Sequence, residues 1–103
     1  MVIVLEKDDG SLFLFDSISD AEAAFEAIDV ENGEYEFCDD AGQRFVAEIV
    51  APVRAFRAGS YRLHPSGSPD KELVSHLVAR ASCLVRAGAG IQSIDELRRT
   101  YMA

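Results

Sequence analysis

Ala27-Ile28-Asp29-Val30-Glu31-Asn32-Gly33-Glu34-Tyr35-Glu36-Phe37 sets Asp29, Glu31, Glu34 and Glu36 around an Asn-Gly pair. Carboxylates this dense suggest oxygen ligands for a hard cation, calcium above all. The spacing does not support it. An EF-hand loop needs oxygen ligands at positions 1, 3 and 5 and glycine at position 6. Setting Gly33 at position 6 puts Ile28 and Val30 in ligand positions, and starting from Asp29 puts Glu34 where glycine is required. The stretch therefore reads as a solvated turn between two elements.

Other chemistry-bearing residues are sparse. Cys38, His64, His76 and Cys83 lack the close pairing of zinc ligands. On a continuous helix His76 and Cys83 would stand about 10.5 Å apart along the axis, too far to share an ion easily. No nucleophile elbow accompanies a serine or cysteine. Gly88-Ala89-Gly90 follows a helical pattern rather than a strand and has no phosphate-binding lysine beside it. No catalytic residue, cofactor or metal is assigned, and the expectation is a protein that is not an enzyme.

Charge is the strongest global signal. The net charge is −8, but residues 1–43 hold thirteen acids against the single Lys7, while residues 44–103 hold five acids against nine Lys and Arg. The acidic half would repel a phosphate backbone, which argues against nucleic acid. Arg54, Arg57, Arg62, Arg80, Arg86, Arg98 and Arg99 have only Tyr61 among them to stack a base, and read better as partners for internal acids or as solvated faces.

The elements that must position these residues follow from periodicity. Val2 to Glu6 and Leu12 to Phe15 flank Asp8-Asp9-Gly10-Ser11, which predicts a β-hairpin. The second run is apolar throughout, as in a strand covered on both faces. A helix follows, opened by Ser19 with Glu22 as a capping box or by Ser17 one turn earlier, with Ile18, Ala21, Phe25 and Ile28 as its buried stripe. Asn32-Gly33 stops it. Glu34 to Cys38 and Arg44 to Ala51 alternate about Asp39-Asp40-Ala41-Gly42, predicting a second hairpin with Tyr35 and Phe37 inward and the acids outward. Strand-like patterns resume at Val53–Arg57 and Tyr61–Leu63. Ser68-Pro69-Asp70 then starts a helix expected to run to about Ala87, with Leu73, Val74, Leu77, Val78, Ala81, Leu84 and Val85 on one face. Ser93 and Glu96 cap a last short helix carrying Ile94, Leu97 and Tyr101.

These elements predict one α+β domain over residues 1–103. Its sheet is antiparallel or mixed, of four to six strands in the order ββα-βββ-αα, with helices mainly on one face. No apolar run approaches the roughly 18 residues a membrane span requires. The N-terminus reads as a strand rather than an export signal, so a cytoplasmic location with reduced cysteines is expected.

Phe15-Asp16-Ser17 through Ala21-Glu22, Ile28 through Tyr35, and Asp40-Ala41-Gly42 resemble small uncharacterised bacterial proteins. Some of these are encoded near secreted toxins and suspected of being immunity proteins. The resemblance covers roughly residues 13–46 and rests on structural motifs: a cap, a helix stop and a hairpin turn. It implies a bacterial origin and a β-rich sheet-and-helix sandwich, and brings no catalytic residues. The functional expectation is a protein-binding module that caps a basic partner with Asp29, Glu31, Glu34, Glu36, Asp39 and Asp40. A structural or regulatory homodimer is the alternative, and a small enzyme the third reading.

Overall fold

Val2–Glu6 (β1) and Ser11–Phe15 (β2) form the expected antiparallel hairpin, with Val2 opposite Phe15 and Leu5 opposite Leu12. The structure, a computed structural model, describes residues 1–51 and 59–102. Tyr35–Asp39 (β3) pairs antiparallel with the other side of β1. Arg44–Ala51 (β4) and Ser60–Ser66 (β5) continue the sheet. The strand-like segment Val53–Arg57 lies outside the described residues. With Cys83–Arg86 (β6) the strands stand in the order β5-β4-β3-β1-β2-β6. Because β6 runs parallel to β2, the sheet is mixed. The α+β class and the expected succession of strands and helices are present.

Ile18–Ala24 (α1) and Ala27–Glu31 (α2) replace the single expected helix. The side chain of Ser17, not Ser19, caps α1, accepting from the Asp20 amide at 3.1 Å. Extended backbone at Phe25 and Glu26 breaks the helix. The rotation this introduces buries Ala27 and Val30 and leaves Ile28 45% exposed, so Ile28 leaves the predicted stripe.

Lys71–Arg80 (α3) is capped by Asp70 and ends seven residues before the expected Ala87. Ala81 is extended, and the Ser82 amide donates to the Gly10 carbonyl at 2.8 Å. The following residues join the sheet as β6, and Gly88 lies in a turn bridged to Ile91. Continued helix over residues 81–87 is outweighed by the ladder that the otherwise unpaired edge of β2 offers. Ile94–Tyr101 (α4) is the predicted last helix, capped by Ser93 through the Glu96 amide at 3.2 Å.

The helices pack on both faces, which corrects the one-face expectation. Val2 and Val4 join Phe15, Ala21, Val30 and Phe37 under α1 and α2. Ile3 and Leu5 join Leu12, Leu14, Cys38, Leu77 and Leu97 under α3 and α4. Alternation sends neighbouring side chains of β1 to opposite faces, and both faces are apolar. The large side chains with no exposure to speak of, Ile3, Leu5, Leu12, Leu14, Leu77 and Leu97, each contribute about 1.5–3 kcal/mol through burial. No helix among the described residues is long and apolar enough to cross a membrane.

Candidate functional site

Because β1 stands between β2 and β3, the turn after β1 and the turn before β3 share one end of the sheet. The Lys7 amide donates to the Glu34 carbonyl at 2.9 Å across this end. Glu6, Asp8 and Asp9 thereby join Asp29 and Glu34. Burial first, then the charges of Asp9, Asp8 and Asp29, push the Glu6 carboxyl above its ordinary value. Glu34 is raised by burial first and then by Asp29, through both charge and a side-chain hydrogen bond. Asp9 moves the other way, because the Ser11 amide donates to its Oδ1 at 2.9 Å. Burial, reinforced by Glu6, Asp29, Glu34 and Asp9, pushes the neighbouring Tyr35 hydroxyl up to about 12. Five like charges with Lys7 as the only Lys or Arg in the first 43 residues make this a strongly negative corner.

The six acids singled out from sequence separate into several places. Asp29 and Glu34 belong to the acidic end, and Glu31 is exposed at the end of α2. Asp39 and Asp40 lie at the far end of β3, about 16 Å from Glu34 at the rise of a strand. Asp39 Oδ1 accepts from the amides of Ala41 and Gln43, both at 2.9 Å, and so builds the hairpin turn. Asp40 pairs with the N-terminal ammonium at 3.6 Å. Glu36 corrects the expectation of an outward acid. Its side chain is 16% exposed and ion-paired with Arg44 and Arg80, since α3 covers the face that alternation assigned to solvent. The acids missed were Glu6, Asp8 and Asp9. Their turn was legible, but its position beside Glu34 depends on the long-range pairing of β1 with β3.

A cavity of about 610 Å³ adjoins this end, between α1–α2 and the start of β5. Phe25, Ala27, Ile28 and Tyr61 give it apolar walls, and Glu22, Glu26 and Arg62 supply charge. Phe25 occupies the helix break and packs its ring against Phe13, Phe15, Tyr35 and Phe37 at centroid distances of 4.3–6.2 Å. Edge and tilted ring contacts of this kind contribute about 0.5–1.5 kcal/mol each beyond burial. Tyr61 donates its hydroxyl to the Ala21 carbonyl at 3.4 Å, which ties α1 to β5. Burial, then the charge of Glu22, pushes that hydroxyl up to about 12. On α2, Ile28 turns to the cavity while its neighbour Asp29 turns to the acidic end.

The remaining chemistry-bearing residues are dispersed. Cys38 is buried under α3, and burial pushes its thiol up to about 12. A thiol so held is protonated at neutral pH, whereas the thiolate is the nucleophile. Cys83 is exposed, with its sulfur 3.9 Å from Ser11 Oγ. His64 pairs with Glu48 at 2.7 Å on the exposed face of β4–β5, and His76 is exposed on α3. Neither Cys38 nor His64 lines the cavity. No group of three His, Cys, Asp or Glu among the described residues is placed to hold a metal ion.

Five of the described arginines are engaged within the chain. Arg44 and Arg80 hold Glu36, Arg62 holds Glu22 at 3.8 Å, and Arg98 donates to the Ala81 carbonyl at 2.9 Å. Arg86 lies 4.8 Å from the Phe15 ring centroid and donates to the Leu14 carbonyl at 3.2 Å. Arg54 and Arg57 lie outside the described residues. No family model matches the chain, and neither a curated protein nor a solved structure matches it.

Proposed function

We propose that the chain is a non-enzymatic protein-binding module of the immunity or inhibitor type, which caps a basic partner with its acidic end. The observation that carries this reading is the convergence of Glu6, Asp8, Asp9, Asp29 and Glu34 from the end of β1, two turns and a helix. Their mutual repulsion disfavours the free protein, and a cationic partner would relieve it. The same field would steer that partner and speed its encounter. The adjoining cavity suits an apolar side chain of the bound segment, because Ile28, which lines it, and Asp29 of the acidic end are neighbours on α2. The sequence resemblance to small bacterial proteins, some encoded beside toxins, agrees with such a role.

The direct test is fluorescence anisotropy with a labelled Lys/Arg-rich peptide carrying one Leu or Phe. Binding should be measurable at low salt, weaken steadily as salt is added, and drop in a D8N/D29N/E34Q variant. Equal affinity for the variant, or no binding at low salt, would refute the proposal. A second reading, self-association, draws on β6, a sheet edge whose Val85 is 58% exposed. Light scattering that finds a strict monomer at high concentration removes it.

A further inference from the structure

A sheet has two edges, and among the described residues they are β5 and β6. An edge strand presents alternate backbone groups to any extended chain that approaches, which makes it a template for pairing. On β5 that template is interrupted. Leu63 stands opposite Ala47, Tyr61 opposite Ile49 and Pro65 opposite Phe45. In an antiparallel ladder, alternate residues direct their amide and carbonyl toward the partner strand, and the residues between direct theirs away. The Leu63 amide donates to Glu22 Oε2 at 2.7 Å, so it points away from β4. Tyr61 and Pro65, two residues to either side, share that outward register. Pro65 has no amide hydrogen to offer.

Glu22 reaches the edge from α1 with its side chain 13% exposed, and its Oε1 faces Arg62 at 3.8 Å. An incoming strand would find no donor at residue 65, a donor already taken at residue 63, and a carboxylate standing where its own carbonyl must go. Displacing that carboxylate would strand a partly buried charge.

We infer that Glu22 and Pro65 together close the β5 edge against strand addition by a second copy of the chain. The carboxylate of Glu22 has a structural role here that its place in a helix does not announce. Closure of β5 is independent of whether the acidic end binds a basic partner.

The test compares the wild-type protein with E22A/P65T, using light scattering over a wide concentration range and amide exchange by NMR. The double variant should associate at concentrations where the wild type does not, with amide protection gained along Tyr61–Pro65 as it does. A folded double variant that keeps the wild-type oligomeric state at every concentration overturns the inference. If the double variant is unfolded, E22A alone decides. Its Leu63 amide should exchange about tenfold faster or more, the loss expected for a hydrogen bond to a charged group. An unchanged Leu63 rate overturns the inference as well.

Discussion

Gly42→Ala separates the strain of an unusual backbone from the cost of a blocked contact. Gly42 has φ +83°, and a Cβ there would lie 1.9 Å from the Asp70 carbonyl oxygen and 2.4 Å from its carbon. Both are backbone atoms at the start of α3, where the Asp70 amide also donates to the Gly42 carbonyl at 3.0 Å. No rotamer change relieves such a clash, so the hairpin turn and the helix start must part. Left-handed backbone at a residue with a Cβ costs about 1–2 kcal/mol. Displacing the helix start adds about 1–3 kcal/mol of overpacking, and loss of the hydrogen bond about 1 kcal/mol. The sum is about 3–6 kcal/mol, a large part of the total stability of a domain this size.

Gly33 supplies the control, because it has a similar φ of +74° with nothing within 4 Å of its would-be Cβ. Gly33→Ala should lose about 1 kcal/mol, once the reduced freedom of the unfolded chain offsets part of the strain. Urea unfolding of both variants by circular dichroism measures the difference. With roughly 4–8 °C per kcal/mol at this length, Gly42→Ala should melt at least about 8 °C below Gly33→Ala. Equal losses would refute the contact between the hairpin turn and α3.

Two further outcomes are expected. A thiol reagent at pH 8 should label one cysteine, Cys83, promptly, and the buried Cys38 only as the protein unfolds; equal rates would contradict the burial of Cys38. Glu34→Gln should stabilise the protein at neutral pH. The folded state holds the Glu34 carboxyl above its ordinary value, so the wild type gains stability as pH falls into that window and loses it as pH rises through it. The advantage of the variant should therefore fade at acid pH and shrink with added salt, and thermal melts across pH and ionic strength would detect any failure to do so.

The elements set by neighbouring residues were legible: the hairpin at Asp8-Asp9-Gly10, the Asn32-Gly33 helix stop, the turn at Asp39-Gly42 and the Ser93 cap. Each depends on a few positions whose backbone preferences reinforce one another. The apolar run Leu12-Phe13-Leu14-Phe15 even signalled a strand covered on both faces, which sits poorly with helices on one face only. What the sequence could not reveal were decisions between distant segments. Residues 83–86 carry an acceptable helical pattern, and only the open edge of β2 makes them a strand. Glu36 alternates outward from Tyr35 and Phe37, and only the arrival of α3 turns that side into an interior. Glu6, Asp8 and Asp9 were visible as a turn, but β1 had to lie between β2 and β3 before they met Asp29 and Glu34. Sequence by itself determined the turns and caps named above, the class and the surplus of negative charge. Tertiary structure decided where that charge concentrates, because which strands become neighbours is set by summed burial and pairing that no short window of sequence contains.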